Sequence, residues 1–161
     1  MSDSDLAITF EGLTKLTTLK VIIIKNNIFM EKACAAIGEI LKRTVPNNLE
    51  EFRLIEVRTN PFIMSKLCST LSQVCHLRKL SLASAELSDQ NVTGLCSLVK
   101  NARFLIDFDI SSNKISPGKM CELSRVLAEN RSLQVINLSW NFFTHQFTMK
   151  DYIAGISDID A

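Results

Sequence analysis

The stretch LQVINLSWNFF, Leu133 to Phe143, sets Leu133, Ile136, Leu138, Asn141 and Phe143 on the spacing L-x-x-L-x-L-x-x-N-x-L/F. Twenty-eight residues earlier the same spacing returns as Leu105, Phe108, Ile110, Asn113 and Ile115. A further 28 gives Leu77, Leu80, Leu82 and Leu87, and another 28 gives Leu49, Phe52 and Leu54. A step of 30 ends on Leu19, Ile22, Ile24, Asn27 and Phe29. Five copies at a nearly constant period predict one supersecondary unit repeated along the chain.

Each unit has a second half that can be tested separately. Val92, Leu95, Val99 and Ala102 fall on one face of a helix, and Met64, Leu67, Leu71 and Val74 precede them by one period. Met120, Leu123 and Leu127 follow by one. The position 17 residues before each leading Leu reads Ser2, Asn60, Ser88 and Ser116, with Thr144 one period on, all residue types that cap helix N-termini. Pro61 and Pro117 then stand at the first helical position, where a missing N–H costs nothing. Met30 breaks the column, and Pro46 lies in the two-residue insertion that turns 28 into 30.

A short strand alternating with a helix of about three turns cannot bury both its leucines and its helix face alone, so neighbouring units must stack. The expected fold class is α/β, a repeat solenoid forming a short right-handed arc with parallel strands on the concave face and helices on the convex face. One domain spans 1–161: an N-terminal capping helix over 2–18, repeats starting near 19, 49, 77, 105 and 133, and a C-terminal capping segment over 144–161. In that segment Met149, Tyr152, Ile153 and Ile156 form a different amphipathic face, suited to closing the core; truncation of a longer array is the alternative.

The pattern is the leucine-rich repeat signature, and the 28-residue period with a full helix per unit resembles the ribonuclease-inhibitor-like subfamily. The resemblance runs from about Leu6 to Phe143 and implies a protein-binding scaffold. The Asn that makes a ladder of backbone hydrogen bonds in such repeats is present at Asn27, Asn113 and Asn141 but replaced by Val57 and Ala85. Those two turns must satisfy their backbone polar groups in another way.

The bulk numbers narrow the partner. A formal charge of +1 offers no excess for polyanions, so nucleic acid is not expected. The longest aliphatic run, Val21 to Ile24, falls far short of the roughly 20 apolar residues of a membrane span. No cationic segment leads into an apolar one at the N-terminus, where Ser2, Asp3, Ser4 and Asp5 follow Met1. Five cysteines, Cys34, Cys68, Cys75, Cys96 and Cys121, form no C-x-x-C pair or zinc spacing and read as reduced thiols, giving a cytoplasmic placement with the nucleus as the other option. Cys68 and Cys96, 28 apart, share a packing role between helices.

Chemistry has little to work with. His76 and His145 lack partners at triad or metal spacing, and phosphate-binding and nucleophile motifs are missing from the sequence. Neither enzyme activity, cofactor nor metal is expected. Asn91, Val92 and Thr93 form a glycosylation triplet that falls inside a predicted helix of an intracellular chain.

Function should therefore sit on the residues between the strands' buried positions, which point out from the concave face. Trp140 stands out: a Trp among Ser111, Ser112 and Ser139 either anchors an interface or folds over the last strand. Asp107, Asp109, Arg53, Lys79, Arg78, Glu51 and Asn137 complete the candidate face, with Glu51, Lys79 and Asp107 alternating in sign so that they could also pair with one another. The leading expectation is a non-enzymatic module that holds another protein on this face, with the oligomeric state open. One rival is a regulator of a GTPase acting through Asn26, Asn27 and Arg58. A second is a segment of a cytoskeletal or ciliary assembly, or an actin-filament capping domain.

Overall fold

The computed structural model describes residues 1–16, 18–43, 49–74 and 76–141. Helix α1 (Asp3–Leu13) leads into strand β1 (Val21–Lys25), and strands and helices then alternate: α2 (Glu31–Arg43), β2 (Glu51–Ile55), α3 (Pro61–Leu71), β3 (Lys79–Ser81), α4 (Val92–Asn101), β4 (Asp107–Asp109), α5 (Pro117–Glu129) and β5 (Val135–Asn137). A 3₁₀ turn, Asp89–Asn91, precedes α4. The strands form one parallel sheet in chain order, and each helix packs on the next. The register follows the sequence period: Val21 pairs with Glu51, Glu51 with Lys79, Lys79 with Asp107 and Asp107 with Val135.

Alternation along the strands decides the layering. In β1 and β2 the second and fourth residues point inward, and Phe52, Leu54, Leu80, Leu82, Phe108 and Ile110 are buried against the helices. Across from them lie Met64, Leu67 and Leu71 of α3, Val92, Leu95 and Val99 of α4, and Met120, Leu123 and Leu127 of α5, all in the same core. Each fully buried Phe or Leu contributes roughly 1.5–3 kcal/mol of transfer free energy. The close fit of α3 on α4 has a specific basis: a Cβ at Gly94 would meet Cβ of Cys68 at 3.3 Å. Cys68 thus packs between helices as its repeat position suggested, whereas Cys96 is only half-buried. Cys34 and Cys68 are buried thiols, and burial pushes Cys68 up to about 12.

The helix starts refine the capping column. Ser2 accepts from the Asp5 N–H in a reciprocal capping box, and Asn60 accepts from the Ile63 N–H at 3.0 Å. Ser116 occupies its cap position without a side-chain bond. Where Met30 interrupts the column, the cap comes from another helix: Asp3 Oδ1 accepts from the N–H groups of Met30 (2.7 Å) and Ala33 (3.1 Å), and Oδ2 from that of Lys32. Asp89, at the same place in its unit as Asp3, accepts from the Ser116 N–H at 2.7 Å. A carboxylate just after one cap therefore reaches the start of the next helix, where it also meets the positive end of the dipole.

The asparagine ladder runs backward along the chain. Asn113 Oδ1 accepts from the N–H groups of Ala85 and Leu87, and Nδ2 donates to Leu82, Ile110 and Ser111 carbonyls. The turn that lost its own Asn at Ala85 is served by the next unit's. The Val57 turn has no such neighbour and closes on backbone bonds, Glu56 N–H to Ala83 and Arg58 N–H to Asn27.

Two expectations need correction. The N-terminal capping helix is α1, Asp3–Leu13, and does not extend to 18: the Thr14 N–H closes it on Glu11, and Leu16 is exposed while Ala7 and Phe10 take the buried places. At the other end Ile136 is 45% exposed although its equivalents Ile22, Phe52, Leu80 and Phe108 are buried; β5 is the last of the described strands. The expected segment 144–161 lies outside the described residues.

Candidate protein-binding face

The sheet face turned away from the helices carries two rows of side chains fixed by register. One row reads Val21, Glu51, Lys79, Asp107 and Val135, and the next Ile23, Arg53, Ser81, Asp109 and Asn137. Neighbouring strands lie about 4.8 Å apart, so each row crosses roughly 19 Å. Its composition changes along that path: exposed Val21 and Ile23, then the charged centre, then Val135 at 54% exposure.

The central charges do not pair as their alternating signs suggested. Arg53 Nε bonds Glu51 Oε1 at 2.6 Å along one strand, where residues two apart share a face. Lys79 and Asp107 are register neighbours, yet neither forms an ion pair among the described residues. Asp109 is held by its own turn, accepting from the Ser111 N–H at 2.9 Å and from the Ser81 hydroxyl at 3.3 Å. Asn137 repeats the arrangement one unit on, accepting from the Ser139 N–H and hydroxyl. Arg53, Lys79, Ser81, Asp107 and Asp109 come together around a depression of about 40 Å³, large enough for little more than a water. A depression this small does not enclose a small molecule.

Trp140 stands beyond β5 and is 82% exposed. Its backbone is left-handed (φ 57°), as are Asn26, Glu56, Ser84 and Ser112 at the same place in the other units. In those four units the N–H of this residue donates to the next unit, to Ile55, Ala83, Ser111 and Ser139 carbonyls respectively. No described residue supplies an acceptor for Trp140. A bulky residue in this conformation is disfavoured by roughly 1–2 kcal/mol, so the Trp140 backbone is strained. Of the other predicted face residues, Arg78 lies at the rim, one residue before β3, with its carbonyl accepting from the Ile106 and Asp107 N–H groups.

Elsewhere, Asn26, Asn27 and Arg58 do converge, around an open depression of about 320 Å³ shared with Met1 and Glu56. Among the described residues no three His, Cys, Asp or Glu side chains are grouped to hold a metal ion, and no helix is long and apolar enough to cross a membrane. Sequence reasoning missed a cationic rim at the helix C-termini. The signal was the period itself, since Arg103 and Arg131 are 28 apart, as are His76 and Phe104.

The fold so described is an α/β fold with a five-stranded parallel sheet, and it is shared with solved tropomodulin and leiomodin domains. The structure resembles the C-terminal domain of Caenorhabditis elegans tropomodulin with a TM-score of 0.57 at 17% identity, covering 98% of this chain and 77% of that one. It resembles leiomodin-1 actin-binding site 2 with a TM-score of 0.63 at 10% identity, covering 98% and 91%. In sequence the chain is similar to human tropomodulin-4, 29% identical over 100 residues, and to the mouse protein, 28% identical over the same length. Those residues are 60% of this chain and 29% of either relative, so the match spans under a third of their length. No family model matches the chain.

Proposed function

We propose that the chain is a non-enzymatic, cytoplasmic protein-binding module of the actin cytoskeleton: a short leucine-rich repeat solenoid of the ribonuclease-inhibitor-like type that grips its partner with the concave sheet face. The observation that carries this reading is the likeness to leiomodin-1 actin-binding site 2 across 98% of the chain. It moves the cytoskeletal alternative ahead of the GTPase regulator, to which none of the named relatives points.

The chemistry of the face is consistent with such a partner. The rows are rigid because each strand is hydrogen-bonded on register, so little ordering cost attends binding. Lys79 and Asp107 keep their charge available at the centre, and Trp140 adds an exposed aromatic anchor at the edge. The test is co-sedimentation with actin filaments, comparing the intact chain with Arg53→Glu, Asp109→Arg, Trp140→Ala combined. The intact chain should pellet with filaments and the triple variant should not. Equal pelleting would move the contact off this face, and failure of the intact chain to bind filaments or monomers would remove actin as the partner.

A further inference from the structure

A second surface lies where the helices end and the next strands begin. Lys100, Arg103 and Arg131 line an open depression of about 310 Å³ with Asn130, Ser132 and one carboxylate, Glu129. Next to Arg103, the exposed ring of Phe104 stacks on His76, centroids 5.4 Å apart and planes 13° from parallel. The ion pairs found among the described residues involve Lys20, Lys42, Arg53, Lys114 and Lys119, and not Lys100, Arg103 or Arg131.

Complementing helix dipoles does not account for this concentration. That effect calls for a cation in the last turn of each helix. Of the rim cations Lys100 alone fits it: α3 and α5 carry no basic residue in their last turns, and Arg103 and Arg131 stand in the connections beyond. Arg103 and Arg131 occupy equivalent places in successive units, as do His76 and Phe104, so the stacking of the repeats draws cations and rings into one row. With a net charge of only +1 the chain gathers cations here against a balance spread elsewhere. Guanidinium groups flanking an exposed ring recognise carboxylates beside an aromatic side chain, through charge-assisted hydrogen bonds and stacking.

We propose that this rim, separate from the concave face, binds an acidic peptide segment of a partner protein that carries an aromatic residue among its carboxylates. A row spread over successive units suits an extended chain better than a compact anion.

The test uses a fluorescein-labelled oligoglutamate peptide with one central phenylalanine, and the same peptide with glycine in its place, read by fluorescence anisotropy. The folded intact chain should bind the aromatic peptide more tightly, and added salt should weaken both. Arg103→Glu with Arg131→Glu should weaken binding at least about tenfold, since it both removes attraction and adds repulsion. Phe104→Ala should weaken the aromatic peptide several-fold and leave the glycine peptide unchanged. Asp107→Lys with Asp109→Lys, on the other face, should not weaken either. No binding by the intact chain, or equal binding by the double reversal, would overturn the proposal. So would tighter binding of a single-stranded oligonucleotide or an anionic lipid vesicle than of the aromatic peptide.

Discussion

The two ends of the sheet carry the same strand pattern in different surroundings. At β1 the core-facing Ile22 is 7% exposed, because α1 adds Leu6, Ala7 and Phe10 to the helix layer and its Asp3 caps α2. At β5 the equivalent Ile136 is 45% exposed, and Trp140 has no described acceptor for its N–H. An apolar residue in the right place is therefore not a core residue until something stacks on it. Among the described residues the β1 end is covered by a helix and tied by a carboxylate cap, whereas the β5 end shows hydrophobic and aromatic surface.

The widest gap between the two ends should appear on truncating their apolar residues. Phe10→Ala should cost about 3–5 kcal/mol in urea unfolding, whereas Ile136→Ala should cost under about 1 kcal/mol, because only the first opens a cavity. Equal losses would mean that the far edge is covered in solution. Asn113→Ala leaves the buried N–H groups of Ala85 and Leu87 unpaired and should cost about 3 kcal/mol. Asn27→Ala should cost about 1 kcal/mol, since among the described residues its side chain bonds the Lys25 carbonyl and serves no neighbouring turn. Asp3→Ala should cost about 1–2 kcal/mol against under about 0.5 kcal/mol for Ser116→Ala, which loses no side-chain cap bond. Trp140→Asn should gain about 0.5–1 kcal/mol by relieving the left-handed backbone, measured as a rise in urea midpoint.

Thiol chemistry gives the smallest signal. Cys68 is neutral in the folded chain and raised to about 12, so its share of stability is complete below the ordinary thiol range near 9 and is lost as pH rises from there towards 12. At neutral pH an alkylating reagent should modify half-buried Cys121 and Cys96 first and spare Cys68 until the chain unfolds.

The fold was legible because each unit repeats two periodicities, two for the strand and 3.6 for the helix, and five copies average out local exceptions. The helix faces around Met64, Leu95 and Leu123 and the strand residues Phe52, Leu80 and Phe108 are buried where the spacing put them. What periodicity does not encode is contact between units. The cap that Asp3 gives to α2, and the service of Ala85 by Asn113, depend on side chains reaching about 27–28 residues along the chain, which a spacing rule reads only once the stacking is known. The same blindness led to Glu51 being matched with Lys79 across strands when its nearer partner is Arg53 on its own. Of the candidate face, the placement of Arg53, Lys79, Asp107 and Asp109 on one side of the sheet follows from alternation alone. The rim at Arg103, Phe104 and Arg131 lies in connections, where neither periodicity speaks.

The most direct measurement is the actin-filament co-sedimentation of the intact chain beside the Arg53→Glu, Asp109→Arg, Trp140→Ala variant, with circular dichroism establishing that both are folded. Filament binding by the intact chain and its loss in the variant is the predicted result. Filament binding retained by the folded variant would contradict the placement of function on the concave face.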